Sequence, residues 1–110
     1  MKTGTAQSPL FELGHVVATA SVNEQLAQPH RSVVIQWLQR HARGDWGDIH
    51  PDDNGLNEAA ITSGARILSV YTVPDELAAH CDDPTVWIIT DAADDRGNRT
   101  TTTVLYPTEY

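Results

Sequence analysis

Three runs rich in β-branched and aromatic residues follow one another in the C-terminal half: "ARILSVYTV" (65–73), "TVWIITDA" (85–92) and "RTTTTVLY" (99–106). In the first, Ile67, Ser69, Tyr71 and Val73 share one side of an extended chain, and Leu68, Val70 and Thr72 share the other. The threonines of the third run are β-branched, and alternate ones can face solvent. "DDRGN" (94–98) punctuates the last two runs as a hairpin turn, with Gly97 supplying the positive φ such a turn requires. Runs this close together pair with their neighbours, which predicts an antiparallel meander of three strands.

The N-terminal half supplies what covers that sheet. "LFELGHVVATASV" alternates weakly and predicts a strand over Glu12–Thr19 that can join the meander as a fourth. A helical turn is expected over Asn23–Leu26, capped by Ser21 or Asn23 and broken by Pro29. "HRSVVIQWLQRHARG" (30–44) is the strongest helix: Val34, Trp37, Leu38 and His41 form one face of a 3.6-residue repeat, and Gly44 is its stop. "HPDDNGLNEAAITSG" (50–64) predicts a second helix, with Pro51 at its first position and Asp52 and Asp53 at its positive end. Gly55 is where it could break, and Gly64 ends it. "PDELAAHCDDP" (74–84) is a connector with room for one helical turn. The expected class is α+β, an antiparallel sheet of three to four strands in the order β-α-α-β-β-β with helices on one face. Residues 1–10 are expected as a flexible tail and 11–110 as a single domain.

Charge narrows the partners. The net charge is −8, and all the excess acid lies in the second half: residues 1–50 hold four basic and four acidic side chains, residues 51–110 three and eleven. Clustered Lys and Arg, which a phosphate backbone needs, are missing, so direct nucleic-acid binding is not expected. No run approaches a membrane span, and no apolar leader follows Met1-Lys2, so the expected location is the cytoplasm. Cys81 is the lone cysteine, which excludes an intrachain disulfide.

The densest chemistry lies in "HARGDWGDIHPDD" (41–53). His41, Asp45, Asp48 and His50 are ligand types for zinc, manganese or iron, so this cluster is the candidate metal site. A helix that stops at Gly44 would not keep His41 and Asp45 on one face, and the turn reading explains more residues. In that reading Gly44, Trp46 and Gly47 build a structural corner with the ring buried between helices and sheet. Asp45 accepts a backbone N–H at the turn, and Asp48 caps the next helix. The competing reading makes Asp45, Trp46, Asp48 and the terminal Tyr110 exposed contacts for a partner. "RGD" (43–45) reads as a helix end rather than an adhesion signal, and "NRT" (98–100) as hairpin chemistry.

Elsewhere, His80 and Cys81 are adjacent and therefore point apart, which makes no dyad. There is no glycine-rich phosphate loop and no Gly-x-Ser-x-Gly elbow, so neither catalytic residues nor a cofactor are assigned. The acidic doublets Asp52-Asp53, Asp75-Glu76, Asp82-Asp83 and Asp94-Asp95 would suit a DNA-mimicking inhibitor if they formed one continuous face.

"HARGDWGD", "ARILSVY" and "VWIITDAADDRGNRTTTTVLYPTEY" together resemble a family of short bacterial proteins of plasmids and other mobile elements, described as plasmid-related. The resemblance covers residues 11–110. The connector that holds His80 and Cys81 is longer than in that family, so these two are not expected to carry a shared role. Some members carry restriction–modification labels, but this chain is too short for a methyltransferase. The family supplies no active site to transfer. The functional expectation is a small non-enzymatic module of mobile-element origin that binds a protein partner. The alternatives are a metal-dependent hydrolase or nuclease at His41, Asp45, Asp48 and His50, and an acidic DNA mimic.

Overall fold

A computed structural model describes residues 8–110; residues 1–7, most of the expected tail, lie outside the described residues. Leu10 is tied down, its N–H donating to the Ala42 carbonyl at 2.8 Å. The elements are β1 (His15–Ala18), α1 (Ala20–Gln25), α2 (Arg31–Ala42), α3 (Pro51–Ser63), β2 (Ile67–Thr72), α4 (Asp75–Ala78), β3 (Thr85–Thr90) and β4 (Thr101–Leu105), followed by a 3-10 turn at Pro107–Glu109.

The class is α+β, and the four strands form one sheet in the order β1-β4-β3-β2. β2, β3 and β4 make the expected antiparallel meander, but β1 pairs with β4 in parallel, with His15 opposite Thr101 and Ala18 opposite Val104. The antiparallel expectation therefore fails for β1. The reason is topological. The chain leaves β1 through three helices layered on one face and returns to the end of the sheet where β1 began, so it re-enters running the same way.

The alternation read from the sequence sets the core. Ile67, Ser69, Tyr71, Val86, Ile88, Thr90, Thr102 and Val104 form the buried face of the sheet. Val22, Leu26, Val34 and Trp37 from α1 and α2 pack on its centre, with Trp37 stacked on Tyr71 at 5.9 Å. A second cluster of Phe11, Trp46, Ala60 and Ile67 lies beside it. Two expected caps differ. Thr19, extended and outside the helix, caps α1 through its hydroxyl at 3.4 Å from the Val22 N–H, because Ser21 already lies within the helix. His50, not Asp48, caps α3, its Nδ1 accepting the Asp52 N–H at 3.1 Å.

α3 runs unbroken through Gly55. An added Cβ there would meet nothing within 4 Å, so the glycine carries only its intrinsic helix cost, which the packing of Asn57 and Ala60 outweighs. Gly55→Ala is expected to stabilise the protein by about 0.5–1 kcal/mol in urea denaturation. Gly47 is the opposite case: its φ is +70° and an added Cβ would lie 2.0 Å from the Val70 carbonyl oxygen. Gly47→Ala should cost about 3 kcal/mol in the same assay. Equal effects at the two glycines would contradict the tight approach at Gly47.

The outer edge of β2 is closed. The Asn57 amide, on α3, brackets the backbone of Leu68, donating to its carbonyl at 2.6 Å and accepting its N–H at 3.2 Å. The corner takes the next outward pair, with the Val70 N–H on the Trp46 carbonyl at 3.1 Å and the Asp48 N–H on the Val70 carbonyl at 2.7 Å. Such closure keeps a free edge from pairing with another chain.

Candidate functional site

The structure disperses the His41–Asp45–Asp48–His50 cluster. Asp45 is clamped by Arg40, at 2.8 and 3.2 Å from the guanidinium, and also accepts the Gly47 N–H at 3.2 Å. The Arg40 bond holds the Asp45 carboxyl below its usual range. Asp48 accepts the Thr72 hydroxyl at 2.5 Å, and His50 is spent on the α3 cap. Among the described residues no group of three or more His, Cys, Asp or Glu side chains could hold a metal ion.

Trp46 is 5% exposed, lies against Phe11 with ring centroids 6.1 Å apart, and donates its indole N–H to Glu58 at 3.1 Å. Gly44 and Gly47 both have positive φ, and the Tyr71 hydroxyl closes the turn by donating to the Asp45 carbonyl at 2.6 Å. Burial pushes the Tyr71 hydroxyl up to about 12, so it stays a donor. The fourth residue of the exposed-contact reading, Tyr110, stands on the opposite face of the sheet. Its exposed ring is 5.4 Å from that of Trp87, and its hydroxyl accepts from Arg66.

His41 is fully buried and anchors a polar chain through the core. Its Nδ1 is 2.6 Å from the Ser69 hydroxyl and its Nε2 is 2.8 Å from that of Thr90. Thr90 is 2.8 Å from Thr102, which reaches the Leu13 carbonyl at 2.7 Å. The carbonyl can only accept, so Thr102 donates to it and must accept from Thr90. The Thr90 proton is thereby used, and its oxygen accepts from His41 Nε2–H. Nδ1 then accepts from Ser69. With the ring neutral, every proton in the chain has one place. Burial, reinforced by the Arg99 charge, pushes His41 down to about 3. A neutral imidazole beside a serine would be a nucleophile dyad if a substrate could reach it, but Ser69 and His41 have no exposed surface. The three hydroxyls were a readable signal, since Ser69, Thr90 and Thr102 all fall at inward positions of their strands and need a polar partner from the helices.

Arg99, assigned from the sequence to hairpin chemistry, reaches much further. It is buried, and its guanidinium donates to the carbonyls of Ala60 at 2.8 Å, Ala65 at 2.8 Å and Asp91 at 3.1 Å. It thus ties the C-terminal turn of α3, the negative end of that helix, to the β3–β4 connection. His80 and Cys81 diverge as expected: His80 stacks on His30 at 5.7 Å, and half-buried Cys81 packs against the core.

Among the described residues, what remains open is the far edge of the sheet. β1 is the last strand. The N–H groups of His15 and Thr19 bond toward β4, to Thr100 at 2.8 Å and Val104 at 3.0 Å, so by alternation the backbone groups of Val16 and Ala18 face outward. Beside this edge runs a groove of about 310 Å³ between β1, α1 and α2, walled by Val16, Ala18, Val22, Val34, Ile35 and Leu38. Val16 is 41% exposed, Val17 37% and Ile35 50%, so three of the six exposed large apolar side chains among the described residues gather here.

The acidic doublets divide between the two ends of the sheet. Asp52-Asp53 follow the corner that bonds Thr72, and Asp75-Glu76 and Asp82-Asp83 lie in the β2–β3 connection. Asp94-Asp95 lie in the β3–β4 connection, the length of a strand away, about 20 Å. They form no single row. Among the described residues no helix is long and apolar enough to cross a membrane. Comparison with protein-family models, with curated proteins and with solved structures finds no match to this chain.

Proposed function

We propose that this chain is a small non-enzymatic protein-binding module, of the mobile-element kind that its sequence resembles, working in the cytoplasm, and that it captures an extended segment along the outer edge of β1. One observation carries the reading: β2 at one side of the sheet is sealed by Asn57 and the Trp46–Asp48 corner, while β1 at the other side is, among the described residues, bare and flanked by an apolar groove. Strand addition suits that geometry. Main-chain bonds to Val16 and Ala18 supply affinity, and the groove between β1 and Ile35 receives alternate side chains of the incoming strand. The spent polar groups of the 41–53 segment favour this over hydrolysis at His41, Asp45, Asp48 and His50, and the divided doublets favour it over DNA mimicry.

Panning a library of random peptides against the immobilised protein tests the reading. The expected binders carry alternating β-branched or aliphatic residues, and Val16→Asp or Ile35→Asp reduces their binding at least tenfold while leaving the unfolding midpoint unchanged. Binders indifferent to both substitutions would contradict it.

A further inference from the structure

The geometry points to a second copy of this chain as the occupant of the β1 edge when no other strand is present; the inference rests on the reading of that edge as the docking surface. The strand "HVVA" complements itself. Its outward backbone groups belong to Val16 and Ala18, two residues apart. In an antiparallel pair about a two-fold axis, Val16 of each copy therefore falls opposite Ala18 of the other and exchanges both backbone bonds with it. Val17 then meets its own counterpart on the axis. The same operation makes the interface isologous and joins two four-stranded sheets into one of eight.

Side chains follow the same parity. Val16 and Ala18 share the face of Thr102 and Val104, the helix side, so the incoming Val16 and Ala18 face the groove that Ile35 and Leu38 wall. Val17 lies on the other face and pairs across the axis, apolar against apolar.

Charge favours this edge over the acidic remainder for self-association. The chain carries −8 overall, yet the edge and the groove are near neutral: Arg31 stands against Glu24, Arg40 is held by Asp45, and the one further acid is Glu109, which accepts from the Thr19 hydroxyl just past β1. Two acidic molecules repel least where they meet through this edge. Any other strand must then displace the second copy, so dimer dissociation accompanies partner binding.

Sedimentation equilibrium at micromolar and submillimolar concentration tests the inference. The expected species has twice the 12.1 kDa chain mass at the higher concentration. Val17→Asp, which sets like charges together on the axis, returns it to the monomer, with the unfolding midpoint unchanged at micromolar concentration, where both proteins are monomers. Leu56→Asp, at a more exposed apolar site on α3, leaves the dimer intact. A monomer at both concentrations, or a dimer that survives Val17→Asp, would overturn the inference. A monomer whose selected peptides still depend on Val16 and Ile35 would overturn the second copy alone and leave a foreign strand as the occupant. Loss of both results would remove the docking surface as well.

Discussion

Trp46→Ala is expected to lower the free energy of unfolding by about 3–5 kcal/mol, a large share of what a domain this size possesses. The ring sits between α2, α3 and the sheet, against Phe11 and edge-on to His41 at 6.0 Å, and its removal opens a cavity that glycine-bounded backbone cannot close. The Trp46 carbonyl would still hold the Val70 N–H, so the loss is one of packing and of the bond to Glu58. Urea denaturation reads the effect directly. A midpoint equal to that of the wild type would mean that the tryptophan is no part of the core and that the corner is not structural.

The second large effect is acid lability set by His41. Its ordinary value is 6.5 and burial lowers it to about 3 in the folded protein. Above 6.5 neither state binds the proton, and the histidine makes no proton-linked difference. Below 6.5 the unfolded chain takes the proton and the folded chain refuses it, so stability falls by about 1.4 kcal/mol per pH unit until the folded value is reached, a total near 5 kcal/mol. Over the interval from about pH 6.5 to 4.5 most carboxylates stay ionised, and the difference between the wild type and His41→Gln removes what the other titrating groups contribute. Over that interval the wild type should lose about 2–3 kcal/mol more than His41→Gln, which cannot titrate. His41→Gln will start from a lower stability at neutral pH; the slope is the diagnostic quantity. Parallel slopes for the two proteins would show that the imidazole is not held neutral by burial.

Local patterns carried much of this fold into the sequence. The two-residue alternation of 65–73 places Ser69 with Ile67 and Tyr71 on the inner face, and the 3.6-residue stripe of α2 places His41 with Val34 and Trp37. The direction of β1 was not readable, because four residues of weak alternation pair equally well either way, and only the helical layer decides. Arg99 was not readable either, since its three carbonyl partners come from segments distant in sequence and are not side chains. The same applies to the open groove. Val16, Val17 and Ile35 look like ordinary apolar positions until the fold leaves β1 at the edge with α2 drawn back from it. The 41–53 segment misleads for the opposite reason: its residue types are those of metal chemistry, but each is consumed by a local task, a cap, a clamp or a turn.

Where a selected peptide binds is the most direct test of the account, and amide chemical-shift mapping reads it residue by residue. Binding at the edge of β1 predicts that the largest shifts fall on Val16, Val17 and Ala18 and on the Ile35–Leu38 face of α2, that the outward amides of Val16 and Ala18 gain protection from exchange, and that the Asp45–Asp53 amides stay in place. Shifts centred on Asp45–Asp53, or on Trp87 and Tyr110 across the sheet, would contradict it.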